Sequence, residues 1–590
     1  MPGRGDLWLL AAVLGGLAAL PSLSLNDFYL QIIFTIGVNY LAAAGLNILV
    51  GYAGQKSLGH AGLFAVGAYS AAIANVSLGL GPWLSLVVAC VMGAVAGFVI
   101  AAPAVRVSGP SLAMVTIGFG IVVEKIVTEW VDVFGGQAGI YGIASPSLTG
   151  RALTSIEWVA FVGILSVITF VLLRCLTAGR HGRALMAVQL AEPAAQSVGI
   201  SVSRAKAVAF VISAVTCALT GALVAEKNQY FNSDFITFEL SIFMLVVVIF
   251  GGTGSPYGPV LGSVILTVLD AWLARWPAVQ HFTYGALLLF ALYLMPNGIA
   301  GTLGSLVRKS RPARPPARGL TALPARESAG RPGRTTPLLE VSGLYKAYGG
   351  IVPVKNVSFA LSHSKVHALI GPNGAGKTTL LNLLSGHVPP LRGSIRLQGR
   401  ELTGLPADRV AAAGIARTFQ NLKLFGHMSV LDNVLVGAHM HIDSSLPAAL
   451  LGLPASRRAE TKAREEALAL LQDMGLDQRA YDRADSLPYG LQRRLEVARA
   501  LATRPSLLLL DEPAAGLNPQ ESQELATVIQ RIGHTGITVL LIEHHMDLVM
   551  RISDHILVLD YGELITQGVP EMVRRDPKVI EAYLGTKEVA

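Results

Sequence analysis

Between residues 7 and 295 apolar positions come in long runs broken by few charges, whereas beyond residue 337 they come in short stretches separated by charged ones. A helix needs about 17–25 mainly apolar residues to cross a bilayer. Runs of this kind fall at 7–23, 28–50, 58–75, 83–102, 112–131, 156–173, 207–225, 238–252, 258–274 and 282–295. They predict an all-α polytopic membrane domain of about ten transmembrane helices. Several are rich in glycine and alanine, as at 59–72, which lets helices approach closely in lipid. After 337 the pattern changes. The run 367–370 reads as a strand, 379–384 as a helix, and Leu507 to Leu510 as a buried parallel strand. The prediction is therefore a multidomain chain, all-α in the membrane and then α/β. Arg4 ahead of the first run has the outline of a secretory signal, but further long runs follow from Phe28 onward, and a first transmembrane helix is the expectation.

Length and composition agree. A chain of 590 residues exceeds one hydrophobic core, and 52% hydrophobic with 14% charged residues is a membrane-protein balance. Charge divides the chain further. Residues 1–305 hold 12 Lys/Arg and 11 Asp/Glu, 337–590 hold 26 of each, and the stretch between has 8 basic residues and one acid. The expected domains are thus 1–305 (a transmembrane domain), 306–336 (a basic Pro/Arg-rich linker) and 337–590 (the α/β domain). Because the basic excess sits in a segment too poor in apolar residues to fold alone, it argues for no nucleic acid. Its charge suits the anionic cytoplasmic leaflet, or simply a spacer.

Lys/Arg placement orients the spans. The loop 174–206 carries Arg174, Arg180, Arg183, Arg204 and Lys206, so it is expected in the cytoplasm with both the linker and the amino terminus. Cys90, Cys175 and Cys217 are far apart and imply no disulfide or metal framework. His60, Glu124 and Asp270 are ionisable groups inside spans, which makes them candidates for the substrate path, or for holding helices together. Adjacent Glu124 and Lys125 point to different helix faces, so pairing is not assumed.

The chemistry lies in the last domain. Gly371, Pro372, Asn373, Gly374, Ala375, Gly376, Lys377, Thr378 and Thr379 fit G-x-x-x-x-G-K-[ST] between the predicted strand and helix. Glycines let backbone N–H groups wrap the phosphates of ATP, Lys377 reaches the β/γ-phosphates, and the Thr378 hydroxyl ligates Mg²⁺. The apolar strand ending in Asp511 and Glu512 delivers two carboxylates. Asp511 suits the metal shell, and Glu512 the polarisation of attacking water. These elements alone fit a kinase or any P-loop ATPase.

The sequence LPYGLQRRLEVARAL (487–501), directly upstream of the acidic strand, resembles the ABC signature, in which Tyr489 and Gly490 contact ATP held by an opposite subunit. GLNILVGYAGQKSLGHAGLFAVGAY (45–69), SGPSLAMVTIGFG (108–120), VGISVSRAKAVAFVISA (198–214) and FGGTGSPYGPVLG (250–262) resemble the permeases of high-affinity branched-chain amino acid ABC importers. The last domain resembles their ATP-binding subunits over 338–585.

The resemblance implies that 192–200 is a coupling helix. It also implies that Tyr348 stacks on adenine, that Gln420 senses Mg²⁺ and water, and that His544 rather than His545 is the switch histidine at the γ-phosphate. The loop from Ala515 to Asn518 would signal across an ATPase dimer. Pro488, Leu491 and Asn518 depart from the common serine, glutamine and aspartate, leaving Gly490, backbone and helix dipole to meet phosphate.

A second permease and a second ATPase subunit, or a second copy, are implied, with an extracytoplasmic solute-binding protein delivering substrate at the bacterial inner membrane. The ATPase domain would face the cytoplasm. An ABC exporter half-transporter has fewer, longer spans; a non-transporting ABC-gated membrane protein is the other class.

Overall fold

The computed structural model describes residues 4–22, 25–107, 109–148, 150–295, 298–308 and 337–584. Each of the ten apolar runs falls on a helix: Arg4–Ala19, Asp27–Asn47, His60–Val76, Pro82–Ala104, Pro110–Glu129, Ser155–Ala178, Val202–Asn228, Phe238–Gly251, Gly258–Leu273 and Pro277–Leu294. Among the described residues, seven helical segments are long and apolar enough to cross a membrane, and His60–Val76 and Gly258–Leu273 are shorter apolar helices. Their starts are locally encoded. Pro82, Pro110 and Pro277 stand at or beside first helical positions, where the missing N–H costs nothing. Thr154 and Glu157 close a capping box ahead of Ser155–Ala178.

The core of the membrane unit is the helix Val202–Asn228 packed on His60–Val76 and Pro82–Ala104. Small residues allow it. A Cβ on Gly93 would lie 2.5 Å from the Ala218 methyl, and one on Gly97 2.6 Å from that of Ala214. Buried polar side chains here bond mostly to neutral partners. Asn39 Nδ2 donates to Thr267 Oγ1 at 2.8 Å, and Asn47 takes the Gly254 N–H and donates to the Ser255 carbonyl, both at 2.9 Å. Among the described residues, Asp6, Arg183, Lys206 and Glu226 are the charged exceptions. Asp6 is held by Arg174 at 3.2 Å and by the Tyr257 hydroxyl, and Glu226 accepts from the Ser85 hydroxyl.

The ATPase unit is built on a six-stranded sheet in the order Ile415–Arg417, Leu507–Asp511, Thr538–Ile542, Val366–Ile370, His555–Asp560, Glu563–Gly568, parallel except for the last strand. Leu507–Asp511, Thr538–Ile542 and Val366–Ile370 are buried throughout, as the apolar runs require of parallel strands covered on both faces. A second, antiparallel sheet joins Ile351–Leu361, Leu339–Tyr348, Arg392–Leu397 and Arg400–Glu401.

The chain divides into two compact units. Leu190–Ser201 belongs with the ATPase unit, and Ser445–Leu453 with the membrane unit. The loop 174–206 holds two short helices, Arg180–Leu190 and Glu192–Ser197, between the ends of Ser155–Ala178 and Val202–Asn228. Of the expected linker, 306–308 continue the helix Gly298–Arg308, and 309–336 lie outside the described residues.

Candidate functional site

The strand Val366–Ile370 runs into the glycine-rich turn, and the helix Lys377–Leu384 leaves it. Gly371, Gly374 and Gly376 all take positive φ (152°, 83° and 99°), so the turn cannot be built from ordinary L-residues without strain. Lys377 is buried, and its Nζ donates to the carbonyls of Gly371 and Pro372 at 2.7 and 2.9 Å. Burial pushes its pKa down, opposed by the charges of Glu512 and Asp511. Asn373, Gly374 and Thr378 are exposed at the mouth of the turn, with Pro372, Gly376 and Thr379 half-buried and Ala375 buried.

The neighbouring strand ends at Asp511, beyond which Glu512 adopts φ 46°. A non-glycine residue in this region costs about 1–3 kcal/mol and is a mark of functional sites. Here the backbone turn aims the carboxylate. Glu512 Oε2 accepts from Gln420 Nε2 at 3.0 Å, and Glu512 Oε1 lies 2.8 Å from His544 Nε2. The structure thus brings Gln420, Glu512 and His544 into one chain of hydrogen bonds.

Asp511 pairs with Arg417 at 3.1 Å, both nearly inaccessible. Burial raises the Asp511 pKa, and Arg417 counters it. Its Oδ1 is buried with no hydrogen-bond partner. A carboxylate oxygen left so costs free energy unless something positive completes it, so the Asp511 carboxylate fits a divalent cation such as Mg²⁺.

The signature residues sit at the amino terminus of the helix Tyr489–Ala502, with Pro488 as its cap. Gly490 is buried against Glu521, where a Cβ would lie 2.8 Å from the carboxyl carbon. Tyr489 is partly exposed beside Gly516. Tyr348, half exposed, ends the strand Leu339–Tyr348. In the membrane unit, His60 is buried between Ser213 Oγ (2.8 Å) and Ser57 Oγ (3.3 Å), the arrangement of a helix tether. Glu124 faces Lys125 at 3.9 Å with both exposed, and Asp270 is half-buried.

Several contacts around the site are not written in any motif. Arg493, buried in the signature helix, donates to the carbonyls of Phe419 and Gln420 at 2.8 and 2.5 Å and pairs with Glu496 at 3.1 Å. Glu496 in turn accepts the Phe419 N–H at 3.2 Å. The signature helix therefore grips the backbone beside Gln420. Phe419 packs edge-on to His387 at 5.6 Å, and His387 Nε2 lies 3.4 Å from the Pro193 carbonyl. The helix Glu192–Ser197 also packs on Ala407–Ala413. Tyr583 accepts the Gly371 N–H at 2.8 Å. No sequence signal marks which residues these side chains meet, because most of the partners are far apart in the chain.

A glycine-rich phosphate turn, paired carboxylates on a buried strand and a signature helix, following a bundle of apolar helices, define an ABC transporter chain that binds nucleotide and hydrolyses ATP. The family model "Branched-chain amino acid transport system / permease component" matches residues 28–292, "ABC transporter" matches 354–515, and "Branched-chain amino acid ATP-binding cassette transporter" matches 563–589.

Over 250 residues (42% of this chain) the protein is 48% identical to the high-affinity branched-chain amino acid transport ATP-binding protein BraF of Pseudomonas aeruginosa, covering 98% of it. With LivG of Escherichia coli K12, of the same description, identity is 47% over the same share. The lipopolysaccharide export system ATP-binding protein LptB of Acidithiobacillus ferridurans is 37% identical over 248 residues, 42% of this chain and 97% of that one. A crystal structure of a nucleotide-free ATP-binding cassette from an ABC transporter aligns at 30% identity and TM-score 0.38, covering 42% of this chain and all of the other. The chain belongs to the branched-chain amino acid ABC transporter family, with a permease component and an ATP-binding component in one polypeptide.

Proposed function

We propose that the protein imports branched-chain amino acids, or closely related small solutes, across a bacterial inner membrane at the expense of ATP. The single observation that supports this most is the joining of a permease of this family to an ATPase of the same family in one chain. Residues 1–305 are the permease domain, 337–590 the nucleotide-binding domain, and 306–336 the link between them. Because the signature of one ATPase meets the ATP of another, the chain works with a second permease and a second ATPase, or with a second copy of itself. An extracytoplasmic solute-binding protein supplies the substrate.

Within the site, Tyr348 stacks on adenine. The backbone of Gly371 to Thr379 and the amino group of Lys377 hold the phosphates, while Tyr489 and Gly490 close the site from the opposite subunit. Thr378, Asp511 and Gln420 would hold Mg²⁺, which when bound neutralises charge on the phosphates. Glu512 orients and polarises the attacking water as general base. His544, already at hydrogen-bond distance from Glu512, keeps that carboxylate aimed and reaches the γ-phosphate when ATP is bound. The contact of Gln420 with Glu512 ties the residue next to the Phe419–His387 packing to the hydrolytic centre. ATP-driven closure thereby acts on 192–200, the coupling segment.

The test is uptake of radiolabelled leucine into proteoliposomes that hold the full chain, with ATP on the ATPase side and the cognate binding protein on the other. Uptake that depends on both supports the proposal. ATP hydrolysis without uptake of any branched-chain or related amino acid, or movement of solute in the opposite direction, overturns it.

A further inference from the structure

The chain leaves the ATPase fold after Ser444 and rejoins it at Pro454, and Ser445–Leu453 in between is part of the membrane unit. There the short helix Leu446–Leu450, capped by the Ser445 hydroxyl, lies against the helix Ser155–Ala178, one of those long and apolar enough to cross a membrane.

The composition of this excursion is unlike that of a cytoplasmic surface loop. From Ser444 to Ser456 the sequence SSLPAALLGLPAS has no charged side chain, in a domain otherwise dense in charge. Its apolar groups divide in two. Ala449 is buried and Leu446 and Leu450 are half-buried, which accounts for the face on the neighbouring helix. Leu451 and Leu453 point outward, 62% and 44% exposed. The helix Ser155–Ala178, on which Leu446–Leu450 packs, has apolar side chains about as exposed, Ile164 and Ile168 at 49% and 47%. Immediately after them Arg457 and Arg458 open the helix Pro454–Asp473, both exposed. Uncovered leucines that follow directly on a short helix packed against a membrane-crossing one, and are followed at once by two cations, have the chemistry of an interfacial anchor on an anionic leaflet.

We propose that Ser445–Leu453 anchors the ATPase half in the cytoplasmic leaflet of the membrane, with Leu451 and Leu453 at the boundary of headgroups and acyl chains and Arg457 and Arg458 on anionic phosphates. The proposal rests on the reading of the first domain as membrane-spanning and is independent of the cargo. It gives the ATPase half a hold on the bilayer in addition to the covalent link, and neither leucine belongs to the nucleotide site.

The experiment places a single environment-sensitive fluorophore on the full-length chain. Cys90, Cys175 and Cys217 are replaced by alanine, and Leu451→Cys, Leu453→Cys, Ile164→Cys or Tyr561→Cys is labelled in liposomes containing phosphatidylglycerol. Ile164 reports the membrane span, and Tyr561, 79% exposed on a turn of the ATPase unit, reports water. Labels at 451 and 453 are expected to be quenched several-fold more by doxyl lipids than by iodide, as at 164 and opposite to 561. Quenching by iodide alone overturns the anchor and puts the loop in water. Shielding from both quenchers also overturns it, assigning the face to a partner subunit. If the label at 164 itself escapes doxyl lipids, it is the membrane reading that fails. As a functional arm, Leu451→Glu with Leu453→Glu is expected to leave ATP hydrolysis in detergent unchanged while lowering uptake per ATP in liposomes several-fold. Unchanged uptake per ATP in that variant counts against the anchor as well.

Discussion

Arg493 in the ATPase unit is buried against two backbone carbonyls and the Glu496 carboxylate, whereas His60 in the membrane unit is buried between two serine hydroxyls. The contrast runs through both units. The ATPase unit buries full charges, Arg493, Glu496, Arg499, Arg417 and Asp511, and gathers them around the residues that handle phosphate. The membrane unit buries mostly neutral amides, hydroxyls and one imidazole, with Asp6, Arg183, Lys206 and Glu226 as the charged minority. A charge away from water is costly unless paired, so buried charges persist where a developing or bound charge must be met. A buried neutral polar group in a helix bundle needs only a neighbour, and helix register is reason enough for it. Chemistry therefore shows through in one unit and packing in the other.

The sharpest way to press this comparison is Glu512→Gln. Loss of a positioned general base is expected to lower ATP turnover by about 10²–10⁴-fold while nucleotide binding persists, measured by phosphate release beside a fluorescent-nucleotide titration. Near-normal hydrolysis would remove Glu512 from the mechanism.

Next in size is Arg493→Ala. It leaves Glu496 buried, with Arg499 still 3.7 Å away, and is expected to destabilise the ATPase unit by about 3–5 kcal/mol in denaturant unfolding. ATP turnover should fall with it through the backbone beside Gln420.

A pH effect of about 3 kcal/mol follows for the ATPase unit from His367. The side chain is buried in the central strand near Lys365, Asp554 and His555, and burial holds its pKa down to about 4. The unfolded chain binds a proton there that the folded one refuses, so this contribution is complete above about pH 6.5 and is lost as pH falls towards 4. His387, also pushed down to about 4 by burial and then by Arg417, acts in the same direction. Unfolding midpoints of His367→Gln against pH should have a shallower acid limb than those of the unsubstituted chain; an identical limb would contradict this.

Tyr583→Phe removes the acceptor of the Gly371 N–H, with an expected cost of about 1 kcal/mol read as a several-fold rise in the KM for ATP. His60→Ala is the smallest, about 0.6 kcal/mol by the measure of hydrogen bonds between membrane helices, followed by unfolding in detergent. Should it cost as much as Arg493→Ala, or abolish uptake without loss of stability, His60 would be a transport residue and the contrast between the units would not hold.

The sequence alone determined the division into apolar helices and an α/β domain, because bilayer thickness demands long uncharged runs and parallel strands demand short ones. It also determined the phosphate turn and the paired carboxylates, because those demand particular side chains at fixed local spacing. Only the tertiary structure decided which distant residues meet. Gln420, Glu512 and His544 lie far apart in the chain and become neighbours through strand order and the left-handed turn at Glu512. The resemblance marks 192–200 and the signature stretch, but not the partners that Arg493 and Glu496 meet. The Tyr583 contact and the place of Ser445–Leu453 in the membrane unit have no periodicity or motif to betray them. Long-range packing depends on which surfaces remain uncovered once each element has formed, and no local window of residues holds that information.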